Sequence, residues 1–456
     1  MRRGLLIRFL LLACLMTGCT PARPAGHPQV ITHPDGPLYA GDQVSFEILP
    51  AAPMGDAQGS IRISFQGRVL GEASFSPFGL GKRNQATLWW AWNTLGLKPG
   101  PYRLTFTRLP DNFTWSETFS LHPANRVPSP EPGAHWAFST TTCCIINYIT
   151  GTAAERDLPL LSREADEASA AVASQLGSKL DKPIDLIFMP RVVGQGGFTT
   201  GSIYLSYLDD NYVASDMPTL IHHEFVHYYD NALGGGYRPA IFAEGLAVYL
   251  AGGHFKPEAL AARAAALLSL GWYIPLHTVA DDFYRQQHEI GYLEAATLVK
   301  YLVDTYGWKD FNAFYRSIPA PKDQSDSSVI DAALQEHFNI SLTGLETAYL
   351  ATLRSQPYTD SQRTDLQLSV EYFDTARRYQ AALDPSAYFL TAWLPDGSAM
   401  RQRKIVADFL RHPDGWEDRL LVSLLDRAHE ELFSGDYAGT QRSLTWTNGI
   451  LDILAP

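Results

Sequence analysis

"HHEFVHYYDNALGGGYRPAIFAEGLAVY", residues 222 to 249, decides how the middle of this 456-residue chain folds. Asp216 stands where a helix N-cap belongs and Pro218 in the first turn, so a helix is predicted from about residue 217 to 231. On it His223 and His227 lie four residues apart, hence on one face, with Glu224 one step round the helix. The register is unique, because the residue four after His222 is Val226; His222 points away from the pair. Two imidazoles one turn apart can grip a single zinc ion, and the glutamate between them can reach a water on it. Gly234-Gly235-Gly236 then breaks the helix, Pro239 opens a second one from about 239 to 251, and Gly252-Gly253 ends it. His227 and Glu244 are nearly equidistant from the glycines, so two antiparallel helices bring Glu244 level with the histidines. A carboxylate amid Ile241, Phe242, Ala243, Leu246 and Ala247 carries a heavy desolvation cost unless a positive charge meets it. The stretch therefore predicts a Zn2+ site of His223, His227 and Glu244, with Glu224 as general base and one coordination position open, which is the pattern of catalytic zinc.

Outward from this pair the signals are mixed. "TTTCCIINYI" and "IDLIFMP" read as strands, "ERDLPLLSREADEASAAVASQLG" as an amphipathic helix, and "GGFTTGSIYLSYLDD" as a strand whose residues alternate from Ile203 onward. After residue 217 the pattern is almost entirely helical. Before residue 122, short alternating stretches such as "QVSFEIL", "IRISFQG" and "YRLTFTRL" sit between Gly/Pro turns and predict a small antiparallel sandwich. Trp89, Trp90 and Trp92 are expected in its core. Pro-rich stretches at 20–36 and 123–133 read as a tether and a linker. The fold class is thus α+β: a sandwich over 37–122, a mixed domain over 134–355, and a helical C-terminal domain over 356–456 that carries no clear repeat.

The segment "FAEGLAVYL" after the histidine motif resembles the gluzincin zinc peptidases, and more closely their peptidase MA-like branch. "NYITGTAAERD", "GYLEAATLVKYLVDTYGW" and "FNISLTGLETAYLATL" are similar to that branch's flanking segments, so the resemblance covers roughly 134–355. "WNTLGLKPGPYRLTF" resembles the last hairpin of bacterial immunoglobulin-like domains. The gluzincin resemblance implies a thermolysin-like domain that hydrolyses peptide bonds, with Tyr292 where these families keep a hydroxyl donor for the oxyanion and His288, one turn earlier, as the competing donor. Asp230, three residues after His227, is the candidate to hold that imidazole from behind, or else a solvated acid at the helix end. Val248 and Tyr249 read as core. The gluzincin strand before the zinc helix pairs with extended peptide, which implies that a proline at Ile203 or Tyr204 cripples turnover. The metzincin continuation Gly-x-x-His is absent, and so is the Gly-x-Met-Glu-Asn segment of aminopeptidases.

Residues 1–19 read as an export signal: Arg2, Arg3 and Arg8 precede the apolar run Phe9 to Met16, and Thr17-Gly18-Cys19 resembles a bacterial lipobox. Cutting after Gly18 and acylating Cys19 would anchor the chain to a bacterial membrane on its periplasmic or cell-surface face; cutting nearby without the lipid would release a secreted protein. Removing the three signal arginines takes the formal charge from -12 to -15, which disfavours nucleic acid and anionic membrane surfaces as partners. Cys14 leaves with the signal, so Cys143 and Cys144 are the only possible disulfide. Neighbouring Cα atoms lie about 3.8 Å apart, below the usual disulfide span, so both are expected as buried thiols. The function that follows is a membrane-anchored metallopeptidase acting on a peptide or protein substrate. Two alternatives use the same residues: a surface-anchored binding protein with a vestigial zinc site, and a zinc hydrolase of a non-peptide amide or ester. Side-chain preference, endo versus exo cleavage and oligomeric state leave no mark on the sequence.

Overall fold

The computed structural model describes residues 28–33, 37–51, 59–78, 83–126, 135–189, 196–207, 211–213, 215–383 and 415–454. The signal, Cys19 and the side chains of Trp89 and Trp90 lie outside the described residues.

Strands β1 (Gln29–His33) to β9 (Phe113–His122) form two sheets, in the orders β1-β3-β7-β6 and β2-β9-β8-β4-β5. Here β2 is Leu38–Tyr39, β3 Gln43–Leu49, β4 Ser60–Phe65, β5 Arg68–Ser74, β6 Ser76–Phe78, β7 Arg83–Asn93 and β8 Gly100–Leu109. Alternate residues turn inward, so Phe46 and Trp92 of one sheet meet Phe106 and Tyr102 of the other to make one sandwich core. Trp92 is fully buried there, as expected. The supposed tether is partly structured: "QVITH" pairs with β3, from Gln29 opposite Leu49 to His33 opposite Ser45. Its β-branched run outweighs the prolines around it.

A third sheet begins after residue 135, in the order β10-β11-β12-β14-β13. Its strands are β10 (Trp136–Thr140), β11 (Cys144–Ile149), β12 (Ile184–Met189), β13 (Gly197–Thr199) and β14 (Ile203–Ser206). The three central strands run parallel and both outer ones antiparallel. Strand β14 is buried on both faces between β12 and β13, so it is not the open edge that the peptide pairing implied by the gluzincin resemblance requires. Among the described residues the outermost strand on that side is β13. The cysteines also differ from expectation, since Cys143 and Cys144 are joined by a disulfide with Cα atoms 3.7 Å apart. The thiol reading rested on the short Cα separation of neighbouring residues, which does not prevent the bond here. Cys143 sits in the bend before β11, where its amide donates to the Asp166 carboxylate, and leaves the pleat that would have pointed the two side chains apart.

The helices are α1 (Ala153–Arg156), α2 (Leu158–Leu176), α3 (Met217–Ala232), α4 (Ala240–Ala251), α5 (Leu260–Leu270), α6 (Leu276–Asp281), α7 (His288–Tyr306), α8 (Trp308–Ser317), α9 (Asp326–Phe338), α10 (Leu342–Ser355), α11 (Asp360–Ala382), α12 (Trp416–Ser434) and α13 (Tyr437–Leu454). None of the described helices is long and apolar enough to cross a membrane. Helix α11 belongs to two cores at once. Leu366 and Val370 join the core around the third sheet, while Leu368, Tyr372 and Tyr379 join another with Tyr212, Val213, Phe255, α12 and α13. The 355/356 boundary is therefore no boundary in packing.

Candidate metal centre

The Asp216 carboxylate caps α3 by accepting from the Thr219 amide at 3.0 Å, with Pro218 in the first turn. The glycine turn then folds α4 back along α3. Gly234 and Gly235 take φ of 68° and 119°, which side chains resist. Gly236 admits no side chain for another reason: a Cβ there would lie 2.4 Å from the Ile318 carbonyl oxygen. The turn is stitched to the end of α8, with the Gly236 amide donating to Arg316 O and that of Tyr237 to Ile318 O, each at 2.9 Å. Gly245 lets α4 press on α7, since its Cβ would sit 2.5 Å from Ala295 O.

This packing brings three ligand atoms together. His223 Nε2 and His227 Nε2 are 3.0 Å apart, and they lie 3.3 and 3.2 Å from Glu244 Oε2. Donors at the usual zinc distances on one tetrahedral ion are about 3.3 Å apart, so the near-equilateral triangle fits zinc. Its electrostatics fit as well. Burial of Glu244 is outweighed by the two imidazoles, which hold its carboxyl well below the usual range. Burial would lower His227, yet the Glu244 carboxylate carries it up to about 9, while desolvation takes His223 down to about 4. Without an ion, the triangle draws one positive charge onto His227.

Two neighbours had no signature in the sequence. The Tyr284 hydroxyl donates to Glu244 Oε1 at 2.6 Å, and Thr199 Oγ1 donates to Glu224 Oε2 at 2.7 Å. Thr199 comes from β13, which can lie on α3 only because residue 197 is glycine: a Cβ there would meet Leu205 Cδ2 at 2.7 Å and Glu224 Oε1 at 3.0 Å. Burial raises the Glu224 carboxyl to about 7.

Asp230 is not a solvated acid, and no hydrogen bond joins it to His227. Its Oδ1 accepts from Arg316 at 2.7 Å, and its Oδ2 accepts from Tyr315 at 2.8 Å and lies 3.1 Å from Arg238 Nε. It acts instead on the turn, because Arg316 also donates to Gly234 O. His222 faces α2, with Nε2 2.8 Å from Gln175 Oε1. Val248 is core, and Tyr249 packs against that core.

A cleft of about 520 Å³ runs over these residues, and Tyr292 and His288 both line it. The Tyr292 ring lies 6.3 Å from that of His223 and stacks on His254 at 3.9 Å. Phe373 and Arg377 of α11 complete the wall. His254 was also unforeseen; its Nδ1 lies 2.9 Å from Glu289 Oε1.

No protein-family model matches the chain, and neither does any curated protein. Among solved structures it is similar to an aminopeptidase N family protein from Idiomarina loihiensis, at 10% identity and a TM-score of 0.31, covering 74% of this chain and 78% of that one. A likeness that loose carries no argument about fold or activity.

Proposed function

We propose that the chain is an exported zinc metallopeptidase of the gluzincin type, anchored by a lipid on Cys19, with a thermolysin-like domain behind an immunoglobulin-like sandwich. The observation that carries the reading is the triangle of His223 Nε2, His227 Nε2 and Glu244 Oε2, with edges of 3.0 to 3.3 Å, beside the buried Glu224. Those three side chains would hold the ion. Zinc, when bound, supplies a Lewis acid that eases ionisation of a water and polarises a carbonyl.

The chain's own residues do the rest. Thr199 fixes Glu224 Oε2 and leaves Oε1 to take the water's proton and return it to the leaving amine. Burial, which raises this carboxyl, favours the protonated form that hands the proton on. Tyr292, on the cleft wall and with no hydrogen bond of its own among the described residues, donates its hydroxyl to the developing oxyanion. Strand β13, rather than β14, offers main-chain groups to an extended peptide. Phe373 and Arg377 then meet the substrate from the opposite side.

The test is to incubate the zinc-loaded soluble chain, residues 27 to 456, with a mixed peptide library beside its Glu224→Gln variant. Cuts that vanish in the variant while its zinc content holds establish the peptidase. Stoichiometric zinc with no cuts from either protein removes it.

A further inference from the structure

We propose that His254, His288 and Glu289 form a second site for a divalent first-row cation of the zinc class, on the same cleft wall as the first. Gly252, at φ 79°, ends α4, and Gly253 makes a turn so tight that a Cβ would lie 1.9 Å from Lys256 O. The turn delivers His254 to the first turn of α7, where His288 and Glu289 stand. One ligand atom from each of the three lies within 4.8 Å of the others. Glu289 Oε1 is 2.9 Å from His254 Nδ1 and 3.5 Å from His288 Nδ1. These distances bracket the separation of about 3.3 Å between donors on one tetrahedral ion.

Two further observations point to a ligand. His288 Nδ1 is buried and has no hydrogen-bond partner, a state that buried polar atoms rarely keep. The charge around Glu289 is also unbalanced. Arg263 pairs with Glu258 and Asp365, and Lys256 pairs with Asp365 at 2.6 Å, so three buried acids counting Glu289 meet two bases. The carboxylate left over faces two imidazoles. Arg377, the cation that acts on His288, donates to Gln380 Oε1 at 2.8 Å. Two imidazoles and a carboxylate are a donor set for zinc, cobalt or manganese. The His254 ring is 6.0 Å from that of His223, so the cleft holds two separate ions side by side. The site stands whether or not the first one is catalytic.

The test counts metal and needs no substrate. The metal-stripped mature chain is titrated with Co2+, whose visible absorption reports each ion, and zinc is counted by mass spectrometry after equilibration. Two equivalents are expected in the wild type, one in Glu289→Gln, one in His223→Ala, and none in the double variant. His288→Asn repeats the test should Glu289→Gln not fold, and the wild-type cobalt titration requires no variant at all. One equivalent in the wild type, or two that persist in a folded Glu289→Gln protein, overturns the site and leaves His254 as an imidazole held by a carboxylate.

Discussion

Replacing Tyr284 by phenylalanine removes one oxygen from the molecule, and the structure says what that oxygen does. It donates to Glu244 Oε1 at 2.6 Å, while Oε2 of the same carboxylate belongs to the donor triangle. A hydrogen bond to a charged group contributes about 1.5–3 kcal/mol. The Tyr284 residue is 44% exposed, so water can replace part of the bond and the lower end applies. About 1.4 kcal/mol is tenfold in affinity, at the lower edge of the roughly 10- to 100-fold losses that follow removal of groups orienting a metal ligand. Zinc affinity, measured by competition with a chromophoric chelator, is therefore expected to weaken about tenfold. At saturating zinc the stability added by the metal falls by the same about 1.4 kcal/mol, beyond what the metal-free protein loses with the same hydrogen bond. Equal zinc affinity in the two proteins refutes the reasoning. A zinc-loaded variant destabilised no more than the metal-free one refutes it differently, by showing that the hydrogen bond is equally strong with and without the ion.

Gly197→Ala should push β13 off α3 and displace Glu224 Oε1, cutting turnover tenfold or more while zinc affinity holds; wild-type turnover would show that the close approach is irrelevant. Gly245→Ala must part α4 from α7 and should lower the urea unfolding free energy by about 1–3 kcal/mol and weaken zinc binding, since Glu244 moves with its neighbour. Phe198→Pro, in the outermost described strand, should slow peptide cleavage with zinc retained, and unchanged cleavage removes strand pairing from the mechanism. Glu294 is buried, accepts from the Ile274 amide at 2.8 Å and leaves Oε2 without a partner, so burial holds its carboxyl well above the usual range. Above its unfolded pKa of about 4.3 the unfolded chain gives up this proton and the folded one keeps it. Stability from this group is therefore complete below that value and lost as pH rises. Glu294→Gln should raise the urea midpoint at neutral pH and flatten its decline with pH; identical slopes would count against a protonated Glu294.

The triangle of His223, His227 and Glu244 was largely legible because its determinants are local. His223, Glu224 and His227 share one helical turn, glycines mark both ends of the Glu244 helix, and the predicted spans match α3 and α4 within a residue or so. What touches those carboxylates was not legible. Thr199 meets Glu224 across 25 residues and Tyr284 meets Glu244 across 40, and no periodic pattern records a contact between separate elements. Asp230 was misread because three cations and hydroxyls reach it from α8 and the chain after the glycine turn. Strand β1 was missed because its five residues hide between prolines, and the disulfide because the short span between neighbouring Cα atoms was taken to forbid a bond that the bend at Cys143 accommodates.

Helix α11 has a consequence for the order of events in synthesis. Its Asp365 pairs with Lys256 and Arg263 beneath the cleft, its Phe373 and Arg377 form one wall, and its other side is packed only when α12 and α13 arrive. A nascent chain that has emerged as far as Ser355 owns every proposed zinc ligand but lacks a wall of its cleft. Under the proposed function, any competence to cut is thus delayed until the last helices have been made and packed against α11.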